Sequence, residues 1–322
     1  MNNILNFDNK MRIFNPENYI LDEGLKNAVE IARVLGQPLL LTGEPGTGKT
    51  KLAYKVAADL SAEASGLHFF PEPFVFNTKT TSIARDLFYS YDALRHFQVA
   101  NLHKGTEPAA LTDTSNFIEL KALGLALAQT QPEAVNVSLF RTKLTDEPRS
   151  SVVLIDEIDK APRDFTNDLL NEVENREFSI QEQGNYRIQQ GNSRQVLIIM
   201  TSNSEKNLPD AFLRRCIFYH IPFPDSVQLK RIIQSGLPAG TGYTEALLDS
   251  LIDTFNEIRK KSVRKPPATA ELLAWIHILG LKGIDQMPDK EQKKQMLTNL
   301  SVLVKTREDY EAVKSIFQGV AT

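Results

Sequence analysis

Eight consecutive residues, Gly43-Glu44-Pro45-Gly46-Thr47-Gly48-Lys49-Thr50, limit what this chain can fold into more than any other feature of its sequence. They follow a short apolar run, Pro38–Leu41, and precede a helical pattern from Lys51 to Leu60. Their spacing is that of a phosphate-binding loop, in which glycines let the backbone curl so that successive N–H groups point inward. The helix that follows adds its positive N-terminal end, and a triphosphate fits such a cradle. On that reading Gly43 to Gly48 line the phosphates, Lys49 reaches the β- and γ-phosphates, and the Thr50 hydroxyl ligates Mg²⁺. A bare glycine turn is the competing explanation, and the strand before it and the helix after it argue against that.

Further apolar stretches at Phe74–Asn77, Ser151–Asp156 and Val196–Ser202 read as strands, with helical patterns between them and one at Leu25–Leu35 that Gly36 stops. Strands alternating with helices imply an α/β fold with a mostly parallel sheet covered on both faces. The span from Ile83 to Arg149 is long for one crossover and reads as an insertion, with helical pieces at Ile83–Val99 and near Phe117–Ala128. Beyond about Pro224 the β-branched runs cease, and Val227–Ile233, Glu245–Arg259, Ala270–Leu281 and Glu291–Val304 suit helices. At roughly 150 residues per domain, the 322 residues suggest two. The expected division is an α/β nucleotide-binding domain over 1–224, with the insertion around 83–149, and an all-helical domain over 225–322. Pro222-Phe223-Pro224-Asp225 marks the break, with Asp225 or Ser226 able to cap the next helix.

Composition removes other classes. Lys and Arg total 37 against 40 Asp and Glu, a net charge of -3 that argues against a broad nucleic-acid or membrane-binding surface. The single cysteine, Cys216, excludes an internal disulfide framework and a thiolate zinc cluster, which fits a reducing cytoplasm. Met1 to Arg12 lack the basic start and apolar run of a secretory signal, and the longest apolar runs, Val152–Ile155 and Val196–Met200, are far too short to cross a bilayer. The histidines at 68, 96, 103, 220 and 277 show no metal spacing.

Three segments after the loop carry chemistry. Val152-Val153-Leu154-Ile155-Asp156-Glu157 is an apolar strand ending in two carboxylates; downstream of a phosphate loop, Asp156 is read as holding Mg²⁺ and Glu157 as the general base that polarises the attacking water. Asp159 and Lys160 read as turn residues in a local ion pair. Val196 to Asn203 reads as a buried strand that delivers Asn203 at its carboxyl end, where ligands bind in open α/β sheets, to orient the lytic water or touch the γ-phosphate. Leu208-Pro209-Asp210-Ala211-Phe212-Leu213-Arg214-Arg215-Cys216 ends in paired arginines. They are either helix-end cations that favour the dipole or an arginine finger for a neighbouring subunit's site. Phe69, Phe70, Phe88, Tyr89 and Tyr91 are either core or, in part, residues facing a central pore.

The ordered set GEPGTGKT, VVLIDEID, IIMTSN and LPDAFLRRC resembles an AAA+ ATPase, and more narrowly the MoxR-like branch, over about residues 15 to 315. NTKTTSIARDLFYSYD, KTREDYEAV and a hairpin-like segment Phe178–Gln190 add to the likeness. The resemblance implies a P-loop AAA+ fold with a C-terminal helical lid, Tyr19 and Ile20 near the base, Asn203 as first sensor, and Arg215 as the finger with Arg214 as alternate. It implies a homo-oligomeric ring, hexameric, that hydrolyses ATP to remodel a protein client, and a partner carrying a von Willebrand factor A domain. A DNA-associated motor or loader is the alternative, and a nucleotide-gated binding module with little turnover a third. The lid of such proteins starts a helix with a second-sensor arginine, yet Lys265-Pro266-Pro267-Ala268-Thr269-Ala270-Glu271 has none. Lys265 or Arg264 could substitute, or they and Arg259, Lys260 and Lys261 form a solvated face.

Overall fold

A computed structural model describes residues 15–102, 113–204, 208–236 and 243–317, and the chain divides into two compact units. One comprises Leu21–Thr42 and Lys49–His220; the other comprises the described residues up to Ile20, the loop Gly43–Gly48 and those from Ile221 onward. The N-terminal residues 1–12 and His103, read above from sequence, lie outside the described residues.

The first unit is built on a sheet. Asp22 caps α1 (Glu23–Leu35) by accepting Leu25 N–H, and Gly36 ends it in the left-handed conformation. Then come β1 (Leu39–Gly43), α2 (Lys49–Ala62), β2 (Phe74–Asn77), β3 (Tyr89–Tyr91), α3 (Ala93–Leu102), β4 (Ile118–Leu120), α4 (Ala122–Gln129), β5 (Ser151–Asp156), α5 (Arg163–Asn175), β6 (Glu177–Ile180), β7 (Tyr186–Gln189), β8 (Val196–Thr201), α6 (Asp210–Leu213) and β9 (Ile217–Ile221). The five-stranded sheet runs β2-β5-β8-β1-β9, and β1 with β8, β2 with β5 and β5 with β8 pair in parallel. Its central strands β5, β8 and β1 carry apolar runs that are buried because both faces are covered, and Val152 to Ile155 are fully buried. Register sets Asn77 opposite Asp156 and Ile155 opposite Met200, so β2, β5 and β8 end side by side.

The expected helix Ile83–Val99 does not form. A 3-10 turn at Ala84–Leu87 and strand β3 precede the shorter α3, and β3 pairs antiparallel with β4, which occupies the start of the second expected helix. Leu87, Phe88 and Tyr89 are consecutive and all buried, which no single helical face allows, and Phe88 stacks on Phe178 at 5.1 Å. Burial also removes Phe69, Phe88 and Tyr89 as pore-facing residues. The segment Phe178–Gln190 does contain a hairpin, β6 and β7, turning through Gly184 and Asn185 at positive φ. Gly124 lets α4 close on the preceding chain: a Cβ there would sit 2.0 Å from Phe88 O, which already accepts Lys121 N–H at 2.8 Å.

The second unit contains α7 (Ser226–Gly236), α8 (Glu245–Lys261), α9 (Thr269–Leu281), α10 (Asp289–Thr298) and α11 (Arg307–Lys314). Leu251, Phe255, Ile258, Leu272, Trp275, Ile276 and Leu279 form the centre of its core. The helix expected to reach Val304 stops at Thr298, where the Asn299 side chain turns back to donate to Gln295 O at 2.6 Å. Buried Asp309, on α11, fixes the link between α8 and α9 by accepting the N–H groups of Val263, Arg264 and Lys265 at 2.8 to 3.0 Å, and the Thr306 hydroxyl at 2.8 Å. No helix of the described residues is long and apolar enough to cross a membrane.

Candidate functional site

Polar side chains gather where β5 and β8 end and α2 begins. Lys49 opens α2 and is only 7 % exposed, so its ammonium needs fixed partners; its Nζ donates to Asn203 Oδ1 at 3.0 Å. The Thr50 hydroxyl donates to Asp156 Oδ1 at 2.9 Å. Thr201, the last residue of β8, donates to the same Asp156 oxygen at 2.6 Å and accepts Glu157 N–H at 2.8 Å. Asp159 Oδ1 accepts Asn203 N–H at 3.2 Å.

Two of these residues gain roles beyond their reading from sequence. Thr201 stood only as part of an apolar strand; its signal is that a hydroxyl closes that strand beside the acidic pair. Asp159 is more than a turn residue, because it positions the backbone of Asn203. Lys160 does form the expected local ion pair, and its partner is Glu157. The Glu157 carboxylate holds the Lys160 ammonium above its usual value. Glu157 itself adopts the left-handed conformation, φ 57°, which is uncommon without glycine and turns the chain out of the strand direction. A neighbouring hydroxyl and carboxylate, Thr50 and Asp156, are oxygen donors of the kind a Mg²⁺ ion takes alongside water, so the residues present fit that ion.

Within the second unit, the loop Gly43–Gly48 is closed by Thr47, whose hydroxyl donates to Glu44 O at 2.9 Å. Gly46 has φ 78°, and a Cβ there would lie 2.6 Å from Ala268 Cβ; at Gly48, φ 92°, it would lie 3.1 Å from the Tyr19 ring. Both positions therefore require glycine for conformation and for space. Tyr19 thus borders the loop, while Ile20 is exposed. Arg259 is no part of a solvated face: its guanidinium is ion-paired with Glu44 of the loop, donates to Pro267 O at 2.7 Å and stacks on Phe223. Arg264, by contrast, pairs with Glu308 on the surface.

Arg214 and Arg215 are both exposed at the end of α6; Arg215 pairs with Glu174 at 3.1 Å and donates to Ala211 O at 3.1 Å. Cys216 donates to Phe212 O, and burial pushes its thiol up to about 12. His220 meets Thr42 at 3.0 Å and His96 meets Tyr91 at 2.7 Å, and among the described residues no cluster of His, Cys, Asp and Glu is arranged to hold a metal.

Residues 38–216 match the family model described as AAA domain (dynein-related subfamily). No curated protein matches the chain. Solved structures similar to it include one from a study of katanin self-assembly, at 15% identity and a TM-score of 0.45, covering 95% of this chain and 92% of that one. A second is the FIGL-1 AAA domain in complex with ADP, at 16% identity and 0.45, covering 91% and 86%. A RuvB variant of Thermotoga maritima is a third, at 17% identity and 0.44, covering 93% and 75%.

Proposed function

The chain belongs to the AAA domain family, dynein-related subfamily, an AAA+ ATPase with a P-loop fold, and on that premise we propose a MoxR-like, Mg²⁺-dependent enzyme that works in a homo-oligomeric ring on a protein client. The observation that carries the chemistry is the pairing of Lys49 with Asn203 and of Thr50 with Asp156 at the carboxyl ends of parallel strands. Lys49 binds the terminal phosphates and stays tethered to the water-orienting Asn203, so phosphate contact and water position are set by one bond. Thr50 and Asp156 would hold Mg²⁺, and the chemistry that ion would supply is to offset charge on the phosphate oxygens. Glu157 takes the proton of the attacking water, which requires its carboxylate to leave Lys160. The sequence likeness and the β6–β7 hairpin support the MoxR-like branch. The hexameric ring, the arginine finger at Arg215 or Arg214, and a client with a von Willebrand factor A domain follow from that likeness.

A Glu157→Gln variant tests the chemistry and the client together. It is expected to bind ATP in calorimetry, lose phosphate release by about a hundredfold or more, and retain the client on an affinity column. Lys49→Ala is expected to bind no nucleotide. Wild-type turnover by Glu157→Gln rejects the general-base role, and wild-type affinity of Lys49→Ala rejects the phosphate site.

A further inference from the structure

The last two turns of α8 wall a groove that lies wholly within the helical unit. Its volume is about 360 Å³, in the range of ligand clefts, and Phe223, Asn256, Arg259, Lys260 and Pro266 line it. The lining is fixed before anything enters. Half-buried Phe223 stacks against core Phe255, ring centroids 6.3 Å apart, and the Arg259 guanidinium carbon lies 3.6 Å from the Phe223 ring centroid. By donating to Pro267 O at 2.7 Å, Arg259 also ties down the segment that carries Pro266, and its own charge is already matched by Glu44. Arg259 therefore builds the groove, and the cations with charge to spare are others. Arg264 pairs with Glu308 and Lys261 donates to Ser315 Oγ, whereas Lys260 in the lining and Lys265 beside Pro266 have no carboxylate partner among the described residues. Cations at a helix end are favoured by its dipole, but that effect fades within the last turn, and Lys265 stands four residues beyond α8. A ring and a proline for a floor, with unpaired ammoniums at the edge, match an apolar side chain flanked by carboxylates. Nucleic acid calls for a broad basic stripe instead, and the chain carries a net charge of -3.

We propose that this groove docks an acidic protein segment, which lays a large apolar side chain on Phe223 and Pro266 and sets carboxylates against Lys260 and Lys265. The assignment rests on the reading of an ATPase that acts on a protein partner, and gives that partner a chemistry; docking itself requires no turnover. Because Phe223 and Pro266 are held in place by Arg259 and Phe255, little ordering of the groove opposes binding.

Fluorescence anisotropy of the full chain at low salt tests it, with a dye-labelled peptide of glutamates flanking a central leucine-phenylalanine pair as the probe. Saturable binding is expected, about tenfold weaker to the double variant Lys260→Gln, Lys265→Gln, the loss of two surface ion pairs. Replacing the leucine-phenylalanine pair of the peptide by glycines is expected to cost about tenfold or more, since the apolar floor then has nothing to cover it. Lys290→Gln with Lys293→Gln removes the same charge from exposed positions of α10 that do not line the groove, and is expected to leave binding unchanged. All four lysines are exposed, so folding is not at issue in either double variant. No saturable binding below about 1 mM peptide, equal losses from the two double variants, or a glycine peptide that binds as well overturns the proposal. So does a single-stranded DNA oligonucleotide of equal length that binds more tightly than the peptide and is weakened by the Lys260 and Lys265 changes, since the surface is then one for phosphates. Phosphate release is measured on the same wild-type sample: turnover without peptide binding overturns the groove alone, and peptide binding without turnover overturns the ATPase reading alone.

Discussion

One oxygen on Thr201 serves both members of the acidic pair, donating to Asp156 and accepting from the backbone of Glu157. Thr201→Val keeps the shape of the side chain and removes both bonds, leaving the Glu157 N–H and an Asp156 lone pair to find water. Residues that orient a metal ligand typically contribute 10–100-fold in metal affinity or activity. We expect phosphate release to fall by roughly 30-fold, with the Mg²⁺ requirement shifted to higher concentration and ATP affinity little changed; a Mg²⁺ titration of turnover checks this. The loop motif made Lys49 and Thr50 legible in the sequence, because glycine spacing and a lysine-threonine pair need no tertiary information. Thr201 and Asp159 were not legible as partners, because their bonds depend on β8 lying beside β5, and Arg259 was hidden because a helix's basic end looks the same whether solvated or paired.

The strands β1, β5 and β8 were readable because buried parallel strands spell continuous apolar runs. The region after Ile83 misled because three buried residues in a row satisfy strand and turn geometry while still matching part of a helical pattern. Gly124 belongs to this scale. Alanine there gains about 1 kcal/mol of helix propensity but forces a methyl onto the Phe88 carbonyl, an overpacking that costs typically 1–3 kcal/mol or more. The carbonyl is held by Lys121 N–H and cannot swing away, so the steric term wins and Gly124→Ala is expected to lower the thermal midpoint. Asp309 gives the helical unit a pH signature. Three backbone N–H bonds and a hydroxyl, the Arg264 N–H foremost, hold its carboxyl below the ordinary value of 3.8. A depressed folded value means stability that is present above the unfolded pKa and lost as pH falls through the folded one. Asp309→Asn is therefore expected to lower the urea midpoint at pH 6, with the deficit shrinking as pH drops below about 3.8; a deficit independent of pH rejects the charge as its source.

On the scale of the whole molecule, the exposed paired arginines bear on assembly. Arg215 has local partners, Glu174 and Ala211 O, and an exposed guanidinium that must exchange them to serve a neighbour. Subunits with Arg215→Ala and subunits with Lys49→Ala are each expected to be inactive alone, whereas an equimolar mixture is expected to regain a fraction of wild-type phosphate release, since intact sites form wherever a sound loop meets a sound arginine. No recovery on mixing assigns the finger to Arg214 or places the site in a single chain. The sequence pointed to such a ring through the paired arginines, read as a finger for a neighbour's site, and through resemblance, because a contact between copies leaves no periodicity in one chain.

The half-buried Cys216 has a practical bearing on all of these measurements. With its sulfur bonded to Phe212 O and its thiol held at about 12, almost none is thiolate near neutrality, and thiolate is the species that alkylating dyes attack. A fluorophore can accordingly be directed to one cysteine engineered elsewhere, with the native sulfur left in place as a silent bystander.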